Sequence, residues 1–190
     1  MTIALHDPRP TAAEDGKASR DAAPKARPPK AAPPKAASPM FDLIELFFFA
    51  YRDFVADADR MLARFGFGRA HHRVLHFVAR RPGLTVAELL DILAITKQSL
   101  NRVMKDLVDG GFVEAQAGVA DRRRRLLYPT PKGRRLALDL ATLQSRRFER
   151  VLAGLPPGAA EDVSRFLLLM IDAADRDKVS AALSAEKRPA

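Results

Sequence analysis

The stretch from Leu84 to Leu107 reads Leu-Thr-Val-Ala-Glu-Leu-Leu-Asp-Ile-Leu-Ala-Ile-Thr-Lys-Gln-Ser-Leu-Asn-Arg-Val-Met-Lys-Asp-Leu. Thr85 and Glu88 stand three apart, the spacing of a capping box. The threonine hydroxyl accepts from the Glu88 amide while the carboxylate accepts from the Thr85 amide. A helix therefore starts at Thr85 and ends after Leu93. A short turn, Leu93-Ala94-Ile95, leads to a second helix capped by Thr96 and closed by Gly110-Gly111. Two short helices joined so tightly form a helix-turn-helix.

The second helix has a divided surface. Leu100, Val103, Met104, Leu107 and Val108 form its expected buried stripe. Gln98, Asn101, Arg102 and Lys105 share an arc of about 100° facing away from it. Lys97 adds a cation on the first turn. Glutamine and asparagine can bond bidentately to adenine N6 and N7, arginine to guanine O6 and N7, and lysine to phosphate. An ordinary solvated helix face is the plain alternative, which the tight turn and capped helix before it disfavour.

Downstream, Phe112 to Gln116 reads as a strand, Gly118 to Asp121 as a turn, and Arg124 to Tyr128 as the returning strand. This hairpin makes the motif winged. Its basic run is Asp121-Arg122-Arg123-Arg124-Arg125. Alternate arginines on a hairpin point to opposite sides, so some can line phosphates while one at the tip enters the minor groove. Asp121 is expected to orient one of them by a bidentate bond.

Charge supports the same partner. The chain has 190 residues, 32 basic against 23 acidic, for a net charge of +9. Residues 96–135 alone hold 10 basic and 4 acidic residues, so six of the nine excess charges lie in one window. A localised positive field is the footprint of a polyanion-binding face. The chain has no cysteine, which excludes disulfides, thiol nucleophiles and Cys-ligated metal. No Gly-rich phosphate loop, nucleophile elbow or His-Glu-x-x-His motif occurs, and no enzyme or cofactor is expected. The apolar runs Leu46 to Tyr51 and Phe166 to Ile171 are too short to span a bilayer, and the head has no signal-type apolar stretch. No membrane partner is expected, and the location expected is cytoplasmic.

Around this lobe lie apolar helices. From Asp42 to Arg64 an unbroken helix of about six turns is apolar on most of its N-terminal circumference, so it needs burial on more than one side. A second helix after Gly66 and Gly68 turns Val74, Leu75, Phe77 and Val78 inward and stops at Pro82-Gly83. A long helix from Arg134 to about Ala153 follows the wing, with Leu136, Leu140, Leu143 and Val151 inward. After Pro156-Pro157-Gly158 a last helix runs from about Ala160 to Ala174. Residues 1–40 hold prolines and alanines interleaved with Lys and Arg, a composition that cannot repay the entropy of ordering.

From Phe41 to about Asp177 the sequence resembles the MarR family of transcription regulators. The resemblance rests on His72-Arg73-Val74-Leu75, Leu84 to Leu89, Thr96 to Val103, Gly111-Phe112-Val113, and above all Asp121 to Gly133, an Asp-x-Arg wing running into Thr-Pro-Lys-Gly. Pro129 stands where the family usually has an aliphatic residue, and the proline-rich head is outside the pattern. The resemblance implies a mainly α fold with a small β wing: a winged helix-turn-helix domain on a helical dimerisation base. It implies a homodimer on double-stranded DNA, and a small-molecule effector bound between base and lobe.

The expected domain is 41–178, with 41–65 and 134–178 as dimerisation helices and 69–133 as the lobe. It stands between a disordered tail, 1–40, and a flexible C-terminus, 179–190. The expected interface residues are Leu43, Phe47, Phe48, Val151, Phe166 and Met170. The DNA-contacting residues are Thr96, Lys97, Gln98, Asn101, Arg102 and Lys105 on the helix and Asp121 to Arg125 on the wing. A rival in another class is an architectural, nucleoid-associated protein of low sequence specificity, which a winged helix with an Ala/Pro/Lys tail also suits. Yet that tail contains Asp7, Glu14, Asp15 and Asp21, and such a binder has no need of the long apolar helices. His72 and His76 have the i, i+4 spacing of metal ligands, but two histidines make an incomplete site and none is assigned.

Overall fold

Thr85 is the hinge of the fold because it belongs to a strand and caps a helix at once. The computed structural model describes residues 38–118 and 124–185. Among them the order is α1 (Phe41–Ala63), α2 (Arg69–Arg80), β1 (Leu84–Thr85), α3 (Val86–Leu93), α4 (Lys97–Asp109), β2 (Val113–Ala117), β3 (Arg125–Pro129), α5 (Pro131–Leu152), α6 (Ala159–Leu169) and α7 (Ala173–Ala185). This is the mainly α, small-β winged helix-turn-helix architecture expected from the sequence. The expectation for the tail falls on residues 1–37, outside those described, as do 186–190.

The sheet is antiparallel with strand order β1-β3-β2. β2 and β3 form the wing, pairing Val113 with Pro129 through to Ala117 with Arg125. β1 was not expected. Its two residues pair Leu84 with Leu127 and Thr85 with Leu126, too short a strand for any alternation to reveal. Pro129 sits at the end of β3 beside Val113, where the chain is about to leave the sheet.

The core gathers around α2, which packs on α1, α3, α4, α5 and β3. Its Val74, Leu75 and Val78 are fully buried, with Leu62 of α1, Leu89 of α3, Leu100 and Leu107 of α4, Leu127 of β3 and Leu140 of α5. Phe77 is only half-buried at the edge of this cluster. α1 joins α5 through the Phe54–Phe148 ring pair at 5.3 Å and through Arg147 on Asp57 at 3.0 Å.

Three expectations are corrected. α5 starts at Pro131 rather than Arg134, since proline at the first helical position needs no amide donor and Thr130 accepts from the Gly133 amide. The single last helix is two, α6 and α7, so residues 179–185 are helical where a flexible end was expected. Arg176 donates to the Leu169 and Ile171 carbonyls at 3.0 and 2.9 Å, satisfying the end of α6, and the alanines that follow favour a new helix. Val108 is 42% exposed, because it lies about 100° round the helix from Leu107, on the side of the exposed Asn101. The apolar N-terminal half of α1 is exposed in the single chain; its buried residues are Val55, Ala58 and Leu62, all in the C-terminal half.

Candidate nucleic-acid interface

The interface starts from the capped turn. Thr85 Oγ1 accepts from the Glu88 amide at 3.2 Å, and Glu88 Oε2 accepts from the Thr85 amide at 2.8 Å and its hydroxyl at 2.6 Å. Those bonds hold the Glu88 carboxyl below its ordinary range, with Arg124 of the wing acting in the same direction. α3 ends in Ala94, which takes a left-handed conformation at φ 50°. Arg73 of α2 reaches over to donate to the Leu93 carbonyl at 2.9 Å. Thr96 then caps α4, accepting from the Ser99 amide at 3.2 Å and donating to the Ser99 hydroxyl at 2.9 Å. Its hydroxyl is thus committed to starting the helix.

With Leu100, Val103 and Leu107 anchored in the core, Lys97, Gln98, Asn101, Arg102 and Lys105 are all exposed on the remaining surface of α4. Lys105 pairs with Asp109 one turn on; that hydrogen bond and the carboxylate's charge raise the ammonium above its ordinary value. Arg124 and Arg125 are exposed at the loop end of the wing, where the Gly118 amide donates to the Arg124 carbonyl at 2.9 Å. Asp121, Arg122 and Arg123 lie outside the described residues.

The joint that carries this face went unread in the sequence, although its residues were quoted for the family resemblance. Thr130 Oγ1, besides capping α5, donates to the Gly111 carbonyl at 2.7 Å. Lys132 Nζ donates to the Gly110 carbonyl at 2.8 Å and sits 4.1 Å from the centre of the Phe112 ring. Gly133 lies so close to the Phe112 backbone that a Cβ there would come within 1.9 Å of its carbonyl oxygen. The start of α5 is therefore bonded to the end of α4. The readable signal was local: a threonine, then proline, then glycine, at cap, first-turn and close-contact positions.

The histidines are accounted for structurally. His71 accepts from the Gly68 amide at 3.2 Å, stacks on Phe67 at 4.6 Å and meets Asp106 of α4 at 3.1 Å. Burial holds His72 below the ordinary imidazole value, with His76 adding to the effect and Asp59 opposing it. Among the described residues no group of three or more His, Cys, Asp or Glu is placed to hold a metal.

Comparison with known proteins agrees with this geometry. Residues 65–124 match the model of the MarR family. The chain is 46% identical over 133 residues to the HTH-type transcriptional regulator PetP of Rhodobacter capsulatus, covering 70% of this chain and 80% of that protein. The chain belongs to the MarR family of transcription regulators. An HTH-type transcriptional repressor of Mycobacterium tuberculosis is 32% identical to this MarR-family chain over 93 residues, 49% of it and 67% of the repressor. Among solved structures, FabT of Streptococcus pneumoniae in complex with DNA superposes with a TM-score of 0.61 at 17% identity, covering 67% of this chain and 91% of FabT. A crystal structure of MarR matches at 0.58 and 19% identity, over 78% of this chain and 99% of that one. These two likenesses are of fold. The relatives are named as transcription regulators, a family without enzymatic activity. No described helix is long and apolar enough to cross a membrane.

Proposed function

We propose that this MarR-family regulator works as a cytoplasmic homodimer that binds double-stranded DNA sequence-specifically, with α4 reading bases and the wing engaging the backbone and minor groove. The observation that carries the reading is the division of α4. Three apolar residues fix it in the core, and five side chains able to bond bases or phosphates stand exposed on the rest of its surface. Gln98, Asn101 and Arg102 take the base edges, and Lys97 and Lys105 position the helix on phosphates.

The dimer is supported by the base. Leu43, Phe47, Phe48, Val151, Phe166 and Met170 are each between 45% and 65% exposed in one chain, a larger apolar surface than a monomer leaves to water. Control by a small-molecule effector is part of the reading on the family resemblance alone.

A binding series tests it. A duplex selected by the protein from a random pool is compared with a scrambled one at a single salt concentration. A specific regulator binds the selected duplex about 10³-fold or more tightly. Gln98→Ala is expected to cost about 1–3 kcal/mol per half-site on the selected duplex and little on the scrambled one. Lys105→Ala costs a similar amount on both. Equal losses for Gln98, Asn101 and Arg102 variants on the two duplexes would transfer the protein to the architectural class.

A further inference from the structure

We infer that Arg73, on α2 and outside the DNA-reading set, is a positioning residue that fixes the angle at which α4 is presented. The inference rests on the proposal that α4 reads base edges.

Two residues and a cap separate the helices of the motif: Ala94, Ile95 and Thr96. Ala94 carries the change of direction at φ 50° and ψ 46°, and among the described residues it is the non-glycine with positive φ. That conformation is unfavourable for an L-residue and persists only where the surroundings hold it. One restraint is local, the Ala94 amide donating to the Leu90 carbonyl at 3.0 Å. The other is remote in sequence. Arg73 Nη2 donates to the carbonyl of Leu93, the last residue of α3, at 2.9 Å across a part-buried gap. This is one of the carbonyls that a helix end leaves without an internal partner, so the guanidinium both satisfies it and pins it. α2 packs on α3 and on α4, so an anchor on α2 refers the turn to the element supporting both.

Base readout and phosphate attraction differ in what they ask of geometry. Bidentate bonds to a base edge need placement within about 0.5 Å and 10–20°. A cation beside a phosphate tolerates far more, because it acts through a field. Releasing the turn therefore removes discrimination first and leaves general affinity in place.

The test compares wild type with Arg73→Met, which keeps the length of the stem and loses every donor, and with Arg73→Lys, which retains one. The duplexes are the one selected by wild type and its scramble, with a salt series on each, and hydrogen exchange is followed at the Ala94 amide. The expected result for Arg73→Met is a selected-to-scrambled ratio lower by about tenfold or more, scrambled affinity and salt slope unchanged, and faster exchange at Ala94. Arg73→Lys keeps most of the ratio. Arg73→Gln, too short to reach the Leu93 carbonyl, replaces the methionine variant should that one not fold. An unchanged ratio overturns the inference. So does a parallel loss on both duplexes with a salt slope smaller by about 1 per arm, which makes Arg73 a phosphate contact. Should wild type select no sequence, the proposed function fails, and unchanged exchange at Ala94 would separately dispose of the anchor.

Discussion

Replacing Gly133 by alanine puts a methyl group where the first turn of α5 meets the backbone at Phe112. The added Cβ would stand 1.9 Å from the Phe112 carbonyl oxygen and 2.9 Å from its carbonyl carbon. Ordinary contact needs more than 3 Å, so one of the two segments must move by about an ångström or more. Neither is free to do so. The Phe112 oxygen accepts from the Thr130 amide at 3.1 Å and its hydroxyl at 3.3 Å, and Phe112 itself is buried. Forced displacement in packed surroundings costs about 1–3 kcal/mol. Weakening those two hydrogen bonds adds about 1–2 kcal/mol. Alanine returns about 1 kcal/mol through its better helix propensity. The net expectation is a loss of about 1–4 kcal/mol. Urea unfolding at fixed protein concentration measures it, since a dimer's stability depends on concentration. Gly154→Ala is the control, because there the new Cβ meets only the Val151 carbonyl at an ordinary 3.5 Å; it is expected to be neutral or slightly stabilising. A Gly133→Ala protein as stable as wild type would refute the account of the joint.

Two further predictions follow from the base and from α2. Phe48, 65% exposed in the single chain, lies on the proposed dimer face; Phe48→Asp would bury an unpaired carboxylate there and should abolish the dimer or the fold, and sedimentation showing an intact dimer at micromolar concentration would refute the assignment. His72 has its folded-state value depressed by burial below its ordinary 6.5, so the unfolded chain binds the proton first. Its contribution is complete above about pH 6.5 and is lost as pH falls toward the depressed folded value; unfolding from pH 7.5 to 5 should show this, and His72→Leu should flatten the trend.

The helix-turn-helix was legible because its signals are local. Thr85 with Glu88, Thr96 before an apolar stripe, and the Gly110-Gly111 stop are each set within one turn of chain. The exposed face of α4 followed from periodicity, and the wing from its arginines between two short apolar segments. β1 was not legible, since two residues carry no period and their pairing with Leu126 and Leu127 spans more than forty residues of sequence. The division between α6 and α7 escaped because the apolar pattern runs on through Met170 and Ile171, and the bonds that end α6 come from Arg176. Arg73 and Lys132 carry no local signal of what they do; only the fold shows that each donates to a carbonyl twenty residues or more away, Leu93 and Gly110.

The weld between Gly110–Phe112 and Thr130–Gly133 turns α5 into a lever. Its 22 residues make a rod of about 33 Å at 1.5 Å per residue. One end is fixed to α4, and the other carries Phe148 and Val151 on the exposed apolar base. In a dimer assembled through that base, a 5° tilt of the rod shifts the far end by about 3 Å, close to the 3.4 Å rise of one base pair. In that proposed dimer the separation of the two α4 helices is then a property of the base as much as of α4. In the proposed dimer, substitutions among the apolar side chains of the base would then change the separation of the two α4 helices by about this distance, leaving the side chains that α4 presents the same.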